Sequence, residues 1–144
     1  SDVYKRQLLV SEDILNKFNL EPIAKIRSMA VVGTDPVLML SGPIPATRKA
    51  LDQAKLKPED INLAEINEAF SSVVGAWRKE FPEINYENVN ANGGSIAIGH
   101  PLGATGARLM TNLIHEMKRN KLKYGLQAIC EGGGTANATI VELV

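Results

Sequence analysis

The stretch from Asn90 to Gly106, Asn-Ala-Asn-Gly-Gly-Ser-Ile-Ala-Ile-Gly-His-Pro-Leu-Gly-Ala-Thr-Gly, constrains this chain more than any other. Its five glycines call for backbone that turns sharply or comes close to something. His100-Pro101 fixes direction at one point, because proline locks its own φ and restricts the residue before it. The run from Gly103 to about Asn120 then reads as a helix. Ala107, Met110, Leu113, Ile114 and Met117 share one face, and Arg108, Thr111, Asn112, His115 and Glu116 the other, with His115 a plain surface residue. A titratable ring is thus presented at the foot of a helix, which makes His100 a candidate reaction centre. The plainer alternative is a tight connection, or an anion held on the helix N-terminus.

Two further segments bear on that choice. Ile61 to Ile66 reads as a short, mostly buried strand, and Glu68 to about Glu80 as a helix with Phe70, Val73, Val74 and Trp77 at helical spacing. Asn67 falls at the junction, where capping the helix explains it fully. In the second segment, a strand from Leu126 to Cys130 runs into Glu131-Gly132-Gly133-Gly134, and another strand follows from Asn137 to Val144. Cys130 is the only cysteine, and a free cysteine mostly behaves as a small buried hydrophobe. At a strand end beside a glycine turn, however, it sits next to N–H groups able to bind an oxyanion.

The rest of the chain reads as alternating elements. Leu8-Leu9-Val10 resembles a strand remnant, and Ser11 caps a short helix with Glu12 and Asp13 in its first turn. Ile23 to Val32 is a strand closed by Gly33 and Asp35-Pro36, and Pro45 opens a helix to about Lys55 with Ala46, Ala50 and Ala54 inward. Lys57-Pro58-Glu59-Asp60 is a solvated connection. The order predicts a mixed α/β layered domain, with helix-linked strands parallel and the last two antiparallel. Sixteen basic residues balance sixteen acidic ones, so no nucleic-acid or acidic membrane partner is expected. No apolar run is long enough to span a bilayer. A single cysteine permits no internal disulfide, which fits a reducing compartment such as the cytoplasm.

Taken together, Asn67-Glu68-Ala69-Phe70, Gly99-His100-Pro101 and Cys130-Glu131-Gly132 resemble three of the four active-site loops of the thiolase family, in the family's chain order. Ser41 to Ala50 is similar to a further thiolase segment, and the resemblance runs from about Leu8 to Val144. It implies a thiolase-like half-fold, a layered mixed five-stranded sheet with helices on both faces. It also implies reversible Claisen condensation or thiolysis of 3-oxoacyl-CoA, with acyl-CoA and CoA as substrates and no resident cofactor or metal. In that likeness Cys130 is the base, and His100 activates a nucleophilic cysteine and donates to the enolate oxygen. Asn67 holds a water as second donor, and the Gly132 N–H serves the tetrahedral intermediate. Ala69 and Phe70 line the pantetheine channel.

The loop carrying the acylated cysteine has no counterpart here. The expectation is a C-terminal thiolase domain over 8–144, inactive alone, behind a non-native leader over 1–7. Its partner is then a missing N-terminal half, whose absence leaves apolar surface open to association, and the full enzyme is a homo-oligomer. Gln127 and Thr135-Ala136 depart from the family pattern without touching the inferred groups. Another condensing enzyme of the superfamily, such as a ketoacyl synthase, is the alternative, as is a non-catalytic module binding a phosphate or CoA.

Overall fold

In the computed structural model, which describes residues 7–144, four strands form one sheet: β1 (Ala24–Gly33), β2 (Leu63–Ile66), β3 (Tyr124–Cys130) and β4 (Thr135–Leu143). Their order is β1-β4-β3-β2. Five helices accompany them: α1 (Glu12–Phe18), α2 (Pro43–Ala54), α3 (Ser71–Glu80), α4 (Gly94–Ile98) and α5 (Thr105–Asn120). The expected leader over 1–7 lies outside the described residues except for Gln7. Its amide donates to the Ala107 carbonyl at 2.6 Å and to the Thr111 hydroxyl at 3.0 Å.

One face of the sheet carries α2 and α3, and the other carries α5. Ala46, Ala50, Leu51 and Ala54 of α2 pack on Ala30, Ala136, Ala138 and Ile140 of the strands. Small residues on both sides let helix and sheet come close. Trp77 of α3 is fully buried in the same cluster, with its Nε1–H donating to the Thr47 hydroxyl at 2.9 Å and its ring 4.9 Å from that of Phe81. On the opposite face Leu113 and Met117 of α5 cover Leu63 and Val141. Burying a side chain of this size contributes about 1.5–3 kcal/mol.

Several expectations hold. Ser11 caps α1, its hydroxyl accepting from the Ile14 N–H, and Ala46, Ala50 and Ala54 all point inward. The hairpin β3–β4 is antiparallel, and β2 pairs parallel with β3 across the α5 connection.

Other expectations are corrected. Leu8-Leu9-Val10 is not a strand; Leu8 is 79% exposed, and with no ladder partner nothing repays ordering it. The sheet therefore has four strands where five were expected, and beyond β2 only Val89 adds a single parallel bridge, to Ala64. β1 and β2 are not parallel neighbours, because β4 returns from the hairpin and inserts antiparallel between β3 and β1.

The helix boundaries also move. α2 begins at Pro43, two residues early, which suits a proline lacking the N–H that a first turn cannot use. α3 begins at Ser71, not Glu68, with Phe70 extended before it and 64% exposed, so Phe70 is not on the buried face. The unanticipated α4 interrupts the glycine loop. On α5 the buried stripe is Leu109, Leu113 and Met117, while Ala107, Met110 and Ile114 only flank it.

Candidate active site

The parallel pairing of β2 and β3 brings two chemically relevant residues together. Ile66 lies opposite Ala128, and the Asn67 N–H donates to the Ala128 carbonyl at 2.9 Å. Asn67 thus leaves the end of β2 beside the end of β3, where Cys130 sits. Ligand sites in open α/β sheets gather at such carboxyl ends.

Asn67 does not cap α3, as the plain reading of its junction position supposed. It is fully buried, and its Oδ1 accepts from the Ser95 hydroxyl of α4 at 2.8 Å. Its Nδ2 is the only buried side-chain donor without an ordinary hydrogen-bond partner among the described residues. Burial pushes the Cys130 thiol up, and the Asn67 side chain opposes the rise. The resting thiol is therefore protonated at neutral pH, and a thiolate formed there is poorly solvated and strongly basic.

The glycine loop is held from three sides. Glu68, expected in the first turn of α3, instead accepts from the Ile96 N–H at 2.7 Å and secures the start of α4. Gly94 has φ +62, a left-handed conformation that any side chain would strain, and a Cβ there would push on the Glu68 carboxylate from 2.5 Å. Arg108 of α5 donates to the Gly99 carbonyl at 3.2 Å and also to that of Ile98. It therefore belongs to the loop and not to an open polar face. Gln127, the departure on β3, is buried and donates to the Gly106 carbonyl at 2.6 Å, fastening the first turn of α5.

His100 follows this clamped segment, and its Nδ1 lies 2.6 Å from the Thr105 hydroxyl. The same hydroxyl donates to the Pro101 carbonyl at 3.0 Å. His100, Cys130, Gly132 and Ala69 all line one cavity of about 550 Å³, whose apolar walls include Met39, Leu40 and Leu102. Phe70 is not among the lining residues. A Cβ on Gly132 would meet nothing within 4 Å, so this residue borders open space. Its place in the turn is set by the next residues, since Gly133 and Gly134 have φ +74 and +84. Among the described residues, no group of three or more His, Cys, Asp or Glu is arranged to hold a metal ion.

Residues 20–143 match the family described as thiolase, C-terminal domain. The chain belongs to the thiolase family. Over 142 residues it is 53% identical to the steroid 3-ketoacyl-CoA thiolase of Mycobacterium tuberculosis, covering 99% of this chain and 35% of that protein. It is 46% identical to the acetyl-CoA acetyltransferase of Shinella zoogloeoides, over 94% of this chain and 34% of that one. The crystal structure of human mitochondrial 3-ketoacyl-CoA thiolase superposes with a TM-score of 0.89 at 40% identity, covering 93% of this chain and 34% of the other. The thiolase domain thus spans about a third of the length of the curated relatives it matches.

Sequence reasoning about this thiolase domain missed Thr105, Ser95, Arg108 and the wall residues Met39 and Leu40. Thr105 carried one usable signal: a hydroxyl residue five positions after a loop histidine, at the start of an amphipathic helix. Ser95 carried none, because its contact with Asn67 depends on how the loop folds back on β2.

Proposed function

We propose that this domain supplies the base and the oxyanion donors of a thiolase active site, acting on acyl-CoA and CoA. The observation that supports it most is the convergence of Cys130, His100 and Gly132 on one cavity, with the unpartnered Asn67 amide near the thiol. Cys130 is the chain's only cysteine, so the nucleophile that carries the acyl group comes from sequence outside these residues.

In the condensation direction, His100 takes the proton of that second cysteine, which attacks a thioester carbonyl, and the expelled CoA thiolate takes the proton of Cys130 and departs as a thiol. Cys130, as thiolate, removes an α-proton from a second acyl-CoA. The enolate oxygen receives hydrogen bonds from His100 and from a water on Asn67. The enolate carbon attacks the acyl-enzyme, the tetrahedral oxyanion is held by the Gly132 N–H, and the nucleophilic cysteine leaves and recovers its proton from His100. In thiolysis the steps reverse and Cys130 is the acid. The raised Cys130 pKa suits the condensation direction, because a thiolate formed at a poorly solvated sulfur is the stronger base for an α-proton. Ala69 lines the channel for the pantetheine arm in this reading, whereas exposed Phe70 would serve only at its rim. The chemistry uses no resident cofactor or metal. A free thiol at its centre suits a reducing compartment such as the cytoplasm, and the assembled enzyme would be a homo-oligomer.

The test joins this chain to the N-terminal half of a related thiolase and follows acetoacetyl-CoA cleavage. Activity in the joined chain should fall by about 10²–10⁴-fold in Cys130→Ala and in His100→Ala, the usual contribution of one acid–base group. A folded, CoA-binding joined chain that cleaves neither acetoacetyl-CoA nor a longer 3-oxoacyl-CoA would reject the reading. The isolated chain should show no turnover.

A further inference from the structure

We infer that Thr105 is a positioning residue that fixes the tautomer of His100, so that the bare Nε2 faces the reacting groups. The inference rests on the reading of His100 as base in the proposed function. Three observations carry it. His100 Nδ1 and the Thr105 hydroxyl are 2.6 Å apart. That hydroxyl also contacts the Pro101 carbonyl at 3.0 Å, and a carbonyl can only accept. Thr105 is 3% exposed, so solvent does not compete for its hydroxyl.

A threonine hydroxyl has one proton. If it is given to Pro101, Thr105 can only accept from His100, and Nδ1 must carry the ring proton. Both contacts are then satisfied at once, and Nε2 is left with its lone pair. The reverse assignment, hydroxyl to Nδ1, would leave the Pro101 contact without a proton. The imidazole nitrogens are distinct in this way, because the bond made by one decides the state of the other.

The backbone keeps the pair in place. The N–H groups of Ala104 and Thr105 both donate to the Pro101 carbonyl, at 2.8 and 2.9 Å, so the hydroxyl's acceptor cannot swing away. Gln127 fastens the next residue, Gly106, from β3. Because the acceptor is a neutral hydroxyl and not a carboxylate, the ring is oriented without gaining a fixed counter-charge. It can then take a proton and release it within one cycle.

The experiment has two arms, with Thr105→Val and Thr105→Ser as variants. In the first, nitrogen-15 spectra of labelled histidine are recorded on this chain at neutral to mildly alkaline pH, with His115→Gln to assign the two histidines. The expected result is a protonated Nδ1 and bare Nε2 in the parent and in Thr105→Ser, with a shift toward the Nε2–H form in Thr105→Val. A parent protonated at Nε2, or a Thr105→Val spectrum like the parent's, would overturn the inference. The second arm measures kinetics in the joined chain. Thr105→Val should lower kcat at least about tenfold with KM little changed, and Thr105→Ser should restore it, whereas a hydroxyl needed only for packing would lower stability and spare kcat. If the tautomer behaves as expected and the joined chain shows no thiolysis, the inference stands and the thiolase reading fails.

Discussion

Glu65 shows how far a single residue can be from its usual state. Its side chain is 1% exposed, and neither carboxylate oxygen has a partner among the described residues. Burial raises its pKa from 4.5 to about 7, with Glu68 and then Glu116 adding to the rise. The folded state therefore holds this proton longer than the unfolded chain does. No penalty exists below about pH 4.5, and stability is lost as the pH climbs from there to about 7. A shift of this size corresponds to roughly 3 kcal/mol. Urea unfolding at pH 5 and pH 8 should show most of that loss in the parent, and Glu65→Gln should remove the pH dependence. An equal loss in the variant would assign it to other groups. Glu65 was not legible in the sequence, where the mostly buried strand was read from Ile61, Leu63 and Ile66 alone. The pairing of β2 with β3 and the cover of α5 bury both faces. Thr105 and Ser95 were hidden for a related reason: their partners are identified only once the loop is folded.

Among the elements, the β3–β4 hairpin and its glycines matter most to the site. The Thr34 N–H and hydroxyl both donate to the Gly134 carbonyl, at 2.7 and 2.9 Å, tying the end of β1 to the turn. A Cβ on Gly134 would lie 2.7 Å from the Thr34 carbonyl oxygen, and φ there is +84. Gly134→Ala should cost about 2 kcal/mol or more, from left-handed backbone plus overlap. Gly132→Ala, in open space, should change stability by no more than about 0.5 kcal/mol. Thermal unfolding of the two variants checks the contrast, and equal losses would refute it. The elements bearing the site were legible because their signals are local: the His-Pro pair, the glycine run and the amphipathic spacing of α5. Strand partners were less so. Placing β4 between β1 and β3 is a decision of the whole sheet, and the adjacency of elements along the chain suggested a parallel β1–β2 pair. The start of α3 was misread because Glu68 finds a better use on α4 than in a first helical turn.

For the molecule as a whole, the uncovered face of β1 sets its behaviour in solution. A bulge between Ile26 and Ser28 shifts the register, so that Ile26, Met29 and Val31 all fall opposite β4 residues on the α5 side of the sheet. Met29 and Val31 are 63% and 64% exposed, on a strand that also forms one edge of the sheet. Apolar side chains on an edge strand invite pairing with another copy. Sedimentation velocity should show concentration-dependent association, weakened in the double variant Met29→Lys, Val31→Lys. A parent that sediments identically from micromolar to near-millimolar concentration would refute it. At the other pole of the fold lies Trp77, the chain's only tryptophan, sealed between α3 and α2 with its N–H on Thr47. That seal gives the molecule a built-in optical gauge. While α3 stays docked, the indole emits from a dry, rigid setting, and its colour moves to the red as soon as water reaches it, so the closing of this layer can be followed without a label.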